Sequence, residues 1–200
     1  MPSPTGPADV LAALARAFAS LNIPWYVFGA QAALIWGRPR MTTDVDVTVR
    51  LGDADSHALV GALQACGFDL RVVATPEFVQ QTRVLPLMHQ LTGLAVDVVL
   101  AGPGLEDEFL ARAVVLDIGG TRVPIISAED LIVTKILAGR PKDIDDIRGV
   151  LEERGSRLDI DQIRTTLKML EDALGQSDLR PLFDAEAERW RSRGEPEHQR

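Results

Sequence analysis

The sequence predicts an α+β (α/β) fold, in which a β-sheet flanked by helices is followed by a C-terminal helical region. Up to residue 126, several segments alternate apolar and polar residues with the two-residue period of half-buried strands. From residue 127 onward, apolar residues recur every three or four positions, which is typical of amphipathic helices. We therefore expect a core domain at residues 1–126 and a C-terminal helical region at residues 127–200.

The N-terminal third predicts a helix, a strand, a helix and a second strand. Asp9 is a candidate N-cap for the first helix. Residues 25–28 are apolar throughout, as expected for a strand in the middle of a sheet. A short helix at 31–36 ends before Gly37, and a loop leads to the alternating strand Asp44–Val49.

The remaining elements follow from periodicity and turn residues. Strands at 84–90 and 94–100 form a predicted hairpin, as do strands at 114–118 and 122–126 across Gly119-Gly120. A polar connection at 75–83 is a candidate lid. We also expect a helix at 53–66, a strand at 68–73, a short helix at 106–113 and four C-terminal helices, which begin at a Ser127 capping box, at Pro141, after an Asp159 cap and near Ser177.

Composition narrows the function classes. The 200 residues are 46% hydrophobic and 25% charged, which is ordinary for a globular protein. A net charge of −8 argues against a protein that coats nucleic acid non-specifically. Cys66 is the only cysteine, so an intrachain disulfide is excluded. No apolar run approaches the length of about 18 residues that predicts a membrane span, and we recognise no signal peptide, so we expect a cytoplasmic protein without membrane contact.

Two acidic residues on one strand are the first candidate site residues. Asp44 and Asp46 are two positions apart, so both side chains lie on the face opposite the valines between and after them. Neighbouring carboxylates repel each other unless a cation lies between them. Because oxygen ligands suit hard cations, Mg²⁺ or Mn²⁺ is the predicted ion.

A candidate phosphate site lies at Gly29-Ala30, between a strand and a helix N-terminus. Free backbone amides and the positive end of a helix dipole favour an anion there. Together with the acidic pair, this arrangement suggests phosphoryl or nucleotidyl transfer. For Gly29-Ala30 alone, the alternative is an ordinary strand–helix turn. For Asp44 and Asp46 alone, the alternative is a strand with two solvated acids.

Asp97 is the third acidic candidate. It lies between hydrophobic neighbours on a predicted strand, where a carboxylate needs a partner. One interpretation makes Asp97 the third carboxylate of a metal-binding cluster, and the other makes it a structural acid paired with an arginine.

Phe28-Gly29-Ala30, thirteen further residues and then Asp44-Val45-Asp46-Val47 resemble the signature of the DNA polymerase β-like nucleotidyltransferase superfamily. Residues 40–44, Arg-Met-Thr-Thr-Asp, resemble the form found in the branch of AbiEii-type toxins and minimal nucleotidyltransferases. Residues 135–146 resemble that branch's later motif with lysine, arginine and aspartate, and the whole resemblance covers residues 8–150. It implies a nucleotidyltransferase-type mixed sheet. One departure is Ala30, where the family has glycine or serine, so a phosphate-binding hydroxyl is absent.

The resemblance also favours phosphate-binding roles for several cationic side chains and for one hydroxyl group. Lys135 and Lys142 are predicted to contact the triphosphate of a bound nucleotide, with Arg40 and Thr42 as further phosphate-binding candidates. The alternative is a solvated helix start, in which acids such as Asp143 interact with the helix dipole. Arg40 as a plain surface arginine is a further alternative.

The resulting functional hypothesis is a metal-dependent nucleotidyltransferase that moves an NMP group from an NTP to a hydroxyl acceptor. The acceptor is a small molecule, a tRNA end or a protein, and the sequence does not choose between them. Two rivals stay open. One is a catalytically weak nucleotide-binding or regulatory module on the same fold, and the other is a toxin–antitoxin component with an antitoxin partner.

Overall fold

The computed structural model describes residues 6–39, 41–52, 55–72 and 76–194. These residues form two compact units, which we call the sheet unit and the helical unit. The sheet unit contains the described residues up to Gln31 and those of Met41–Ser127. The helical unit contains residues 32–39 and the described residues from Ala128 onward.

The described residues of the sheet unit form a seven-stranded mixed sheet. Its strands are β1 (Trp25–Phe28), β2 (Asp44–Val49), β3 (Phe68–Leu70), β4 (Val84–His89), β5 (Ala95–Leu100), β6 (Val114–Ile118) and β7 (Thr121–Ile125). The order across the sheet is β3-β4-β5-β2-β1-β7-β6. β2 runs parallel to β5 and β1 parallel to β7, and the other neighbouring pairs are antiparallel. This architecture confirms the predicted fold class and both predicted hairpins.

The alternation of β2 determines which of its faces is buried. Val45, Val47 and Val49 are fully buried, as the sequence pattern predicts, and so are Val96 and Val98 on β5. Burying such side chains stabilises the fold by about 1.5–3 kcal/mol each. Because side chains alternate along a strand, the aspartates of both strands lie on the opposite face.

Five helices complete the described part of the sheet unit, and the structure differs from three predictions for this unit. Helix α1 begins at Pro7 with Gly6 as its N-cap, so Asp9 is not the cap; its carboxylate accepts a hydrogen bond from the Gly6 amide at 3.0 Å. The connection predicted at 75–83 contains a helix from Pro76, and strand β3 ends at Leu70 instead of residue 73. The helices are α1 (Pro7–Ser20), α2 (Gly29–Trp36), which continues into the helical unit, α3 (Ser56–Ala65), α4 (Pro76–Thr82) and α5 (Leu105–Arg112).

The helical unit packs its helices around an aliphatic core. The Asp159 side chain accepts a hydrogen bond from the Gln162 amide at 2.9 Å, which confirms it as an N-cap. None of the helices in the described part of the chain is long and apolar enough to cross a membrane. The elements are α6 (Ala128–Ala138), α7 (Pro141–Arg154), a 3-10 turn (Gly155–Arg157), α8 (Ile160–Leu174) and α9 (Leu179–Gly194).

Candidate active site on the sheet

Strand register places the predicted carboxylates on one face of the sheet. Asp46 on β2 and Asp97 on β5 are direct partners in the parallel pair. Neighbouring strands are about 4.8 Å apart, and residues two apart on one strand are about 6.6 Å apart. Asp44 lies two residues before Asp46 on β2, so its side chain is on the same face. We call Asp44, Asp46 and Asp97 the carboxylate face.

Gly29 lies against the Asp46 carboxylate. Phe28, the last residue of β1, pairs with Asp46 across the antiparallel ladder, and Gly29 comes next with φ +64°. A Cβ at Gly29 would be 2.9 Å from Asp46 Cγ and closer still to Oδ2. Glycine is favoured here, because a Cβ would displace the carboxylate and because the left-handed backbone disfavours other residues.

Helix α2 begins at Gly29 itself, two residues earlier than the sequence predicts. Gly29 and Ala30 therefore lie in the first turn, where backbone N–H groups have no acceptor within the helix. This is the end of a helix that favours an anion. The pairing of Phe28 with Asp46 brings that end beside the acidic strand.

Thr42 orients the carboxylate of Asp44. Its Oγ1 donates a hydrogen bond to Asp44 Oδ1 at 2.5 Å. The side chain of Gln31 donates from Nε2 to the backbone oxygen of Asp44 at 3.3 Å. Gln31 was missed at the sequence level, because an amide in a short helix carries no distinctive pattern. The predicted contact of Thr42 with phosphate stays a prediction.

Asp97 forms an ion pair with Arg71, through Nη2 of the arginine and Oδ1 of the aspartate. The Arg71 side chain is 34% exposed and that of Asp97 is 37% exposed. Of the two interpretations of Asp97, the arginine pair is observed, and the strand register also brings this carboxylate to the other two. Sequence analysis missed Arg71, because only β-sheet pairing brings it near a residue 26 positions away.

The donors of the carboxylate face have the chemistry that a hard divalent cation requires, since all are carboxylate oxygens. In their present rotamers, no three Asp, Glu, His or Cys side chains within the described residues converge as a metal site. Thr42 engages Asp44, and Arg71 engages Asp97. Binding of a cation by all three carboxylates would therefore require changes of side-chain rotamer.

The helical unit contains a second charge cluster, which we call the buried ionic cluster: Lys135, Arg140, Asp143 and Asp146. Lys135 Nζ donates to Asp143 Oδ1 at 3.0 Å and to Asp146 Oδ2 at 2.7 Å. Arg140 Nε donates to Asp143 Oδ2 at 2.6 Å. Lys135 is only 5% exposed and Asp143 is fully buried. The cluster is buried and ion-paired, so it is not the solvated helix start that the sequence analysis gives as the alternative. The contact of Lys135 with a nucleotide stays a prediction.

The pKa of Asp143 reflects its surroundings in this cluster. Burial by itself raises the pKa of this carboxyl, because a charge is poorly solvated in the interior. The hydrogen bonds and charges of Arg140 and Lys135 outweigh burial and hold the pKa below its ordinary value. Asp143 is therefore ionised near neutral pH, which matches the cationic partners around it.

The other two predicted phosphate contacts have different outcomes. Lys142 is exposed in the first turn of α7 and stays a predicted nucleotide contact. Arg40 falls outside the described residues.

Comparison with known families identifies the chain. Residues 18–174 match the family described as "Nucleotidyltransferase of unknown function (DUF6036)". The chain belongs to this family. It is accordingly an enzyme of the nucleotidyltransferase class, as the resemblance implies. No curated protein matches the sequence significantly.

Solved nucleotidyltransferase structures share the fold of this DUF6036 protein. The solution structure of the antibiotic-resistance factor ANT(2'')-Ia has a TM-score of 0.60 at 16% identity, covering 86% of this chain and 97% of that one. A nucleotidyltransferase-like protein from Paracoccidioides brasiliensis has a TM-score of 0.56 at 20% identity, covering 90% and 91%. The lincosamide antibiotic adenylyltransferase LnuA, with lincomycin bound, has a TM-score of 0.52 at 14% identity, covering 74% and 98%.

Proposed function

We propose that the carboxylate face is the active site of a metal-dependent nucleotidyl transfer from an NTP to a hydroxyl acceptor. The observation that carries the proposal is the register of β2 and β5, which puts Asp46 directly beside Asp97. Asp44, Asp46 and Asp97 would hold Mg²⁺ or Mn²⁺. When bound, such an ion neutralises triphosphate charge and lowers the pKa of the attacking hydroxyl.

The N-terminus of α2 is the proposed seat of the phosphates. Backbone amides of Gly29 and Ala30 would donate to non-bridging phosphate oxygens, with the helix dipole adding to the attraction. Gly29 contributes a second property, because the absence of a side chain leaves the Asp46 carboxylate in place. Thr42 supports the site indirectly by fixing the rotamer of Asp44.

The proposed reaction is an in-line displacement at the α-phosphorus. The acceptor oxygen forms a bond to phosphorus, the bond between the α-phosphorus and the bridging oxygen breaks, and pyrophosphate leaves with the electron pair. Asp97 would accept the proton of the acceptor hydroxyl. Most of the rate enhancement would come from positioning and from neutralisation of charge.

The acceptor class is a small molecule, a tRNA end or a protein hydroxyl. The net charge of −8 disfavours an extended nucleic acid. Small molecules are the first acceptors to test, because similarly folded structures include antibiotic adenylyltransferases. Membership of the AbiEii-type toxin branch, with an antitoxin partner, is a finer hypothesis that the same experiment addresses.

The test is transfer of label from each α-³²P-NTP, with Mg²⁺ or Mn²⁺, to fractions of small molecules, RNA and protein from a cell extract. We expect label in one fraction, release of pyrophosphate, and loss of both with Asp46→Ala. Asp117→Asn is the matched control, because Asp117 lies on the edge strand β6 and accepts a bond from the Gly120 amide. Label transfer that survives Asp46→Ala would contradict the proposal.

A second candidate is a nucleotide-binding module with weak catalysis. Two observations favour it: Ala30 stands where the family signature has glycine or serine, so a phosphate-binding hydroxyl is absent, and Arg71 is already paired with Asp97. This candidate predicts nucleotide binding by calorimetry without pyrophosphate release for any NTP. Restoration of turnover by Ala30→Ser would then assign the weakness to that position.

A further inference from the structure

We propose that Arg71 is a displaceable counterion of the active-site carboxylates, which occupies Asp97 until a metal-bound nucleotide takes its place. The inference rests on the proposed function of the carboxylate face and adds a residue that sequence analysis does not identify. Arg71 would act as a positioning residue that makes binding of the metal depend on binding of the nucleotide.

The backbone of Arg71 is anchored one strand away from Asp97. Its amide donates to the oxygen of Pro86 on β4 at 2.9 Å, and Pro86 is the direct partner of Asp97 across the β4–β5 ladder. Arg71 therefore lies on the side of β4 that faces away from β5. Its side chain reaches across β4 to Asp97, which is level with Pro86 in the sheet. The backbone hydrogen bond to Pro86 and the register of β4 and β5 together place Arg71 within reach of Asp97.

Solvent exposure favours separation of the ion pair between Arg71 and Asp97. Both side chains are about one-third exposed, so water screens their attraction and contributes to their solvation when they separate. The lysine of the buried ionic cluster, at 5% exposure, has no comparable access to water. Arg71 can therefore leave its carboxylate at small cost, whereas Lys135 cannot.

Binding of a nucleotide would favour release of Arg71 from Asp97. A guanidinium and a divalent cation compete for the same carboxylate oxygens, so Arg71 weakens binding of a metal ion alone. A triphosphate offers the guanidinium a new anionic partner of the geometry that arginine binds well. Release of Arg71 from Asp97 then accompanies arrival of the nucleotide, which couples the two ligands positively.

The test measures Mn²⁺ binding by electron paramagnetic resonance, with and without a non-hydrolysable NTP analogue. Without nucleotide, we expect Arg71→Gln to bind Mn²⁺ up to about fivefold more tightly than wild type, because a competing positive charge is removed. We also expect the analogue to strengthen Mn²⁺ binding less in Arg71→Gln than in wild type. Arg112→Gln is the matched control and should resemble wild type, since its surface pair with Glu108 has 31% and 47% exposure.

The outcomes separate this inference from the proposed function. Equal Mn²⁺ affinity in wild type and Arg71→Gln, with loss of binding in Asp46→Asn, would overturn the role of Arg71 and leave the metal site intact. Absence of Mn²⁺ binding in every variant would overturn both. Thermal unfolding reports whether each variant is folded, and Arg71→Ala serves as the second variant if Arg71→Gln is not.

Discussion

The two charge clusters of this protein use similar residues in opposite ways. The carboxylate face has three aspartates on one side of a sheet, with partly exposed partners such as Arg71 at its edge. The buried ionic cluster has two aspartates, a lysine and an arginine, joined by hydrogen bonds of 2.6–3.2 Å. Both were candidate functional clusters at the sequence level.

The difference shows that burial and charge balance decide what a carboxylate can do. A fully buried aspartate whose oxygens are held by two cations has no oxygen to offer a ligand, and removal of either cation would leave an uncompensated buried charge. In the proposed site, a partly exposed aspartate such as Asp97 would exchange its arginine partner for a metal ion. Four predictions sharpen this comparison, beginning with the largest expected effect.

Lys135→Met should destabilise the protein strongly. The substitution leaves Asp143 and Asp146 buried without their shared cation, which costs about 3–5 kcal/mol of unfolding free energy. Urea unfolding followed by circular dichroism measures the change.

The matched control is Lys168→Met, which removes an exposed pair with Asp172 on α8. We expect it to cost less than about 1 kcal/mol. Similar losses for both lysines would contradict a structural role of the buried ionic cluster.

The second-largest expected effect is a loss of stability at acidic pH through the buried ionic cluster. Because the pKa of Asp143 is lowered in the folded protein, its ionised form stabilises the fold above the unfolded pKa of about 3.9. That contribution is lost as the pH falls through the lowered pKa. Unfolding free energies measured from about pH 6 down to about pH 3 should fall less steeply in Asp143→Asn than in wild type, and parallel curves would rule out the linkage.

Gly29→Ala should damage the carboxylate face. The left-handed backbone costs about 1–2 kcal/mol for a residue with a side chain, and the added Cβ displaces the Asp46 carboxylate. We expect loss of nucleotidyl transfer in addition to a lowered melting temperature.

Gly93→Ala separates the two effects. Gly93 has φ +68° in the β4–β5 hairpin, with open space where a Cβ would lie. It should lose stability to a similar extent and keep its activity. Equal activity losses in the two variants would show that backbone strain, and not the position of Asp46, causes the defect.

Thr42→Val should have the smallest effect of the four. It removes the hydrogen bond to Asp44, a contribution of about 0.5–1.5 kcal/mol, and frees the carboxylate to rotate. We expect a modest fall in kcat/KM for nucleotidyl transfer. Thr42→Ser retains the hydroxyl and should restore most of the activity, whereas a serine variant as weak as the valine variant would assign the effect to packing.

Much of the sheet was predictable from local pattern. The alternation of Asp44–Val49 correctly separates the buried valines from the aspartates, and Gly119-Gly120 correctly predicts a hairpin. Asp9 was assigned wrongly as a cap, because Pro7 begins the helix earlier and moves Asp9 into its first turn. The helix at Pro76–Thr82 was missed, because a short polar segment has no clear apolar period.

Local sequence by itself determined the alternation of β2, the turn at Gly29 and the family signature that connects them. Each depends on residues close together in the chain, whose period and backbone preference act before any tertiary contact forms. Only the tertiary structure decided that Asp97 stands beside Asp46, that Arg71 reaches Asp97, and that Lys135 is buried between two aspartates. These outcomes depend on strand register and helix packing between distant segments, which the local pattern of residues does not encode.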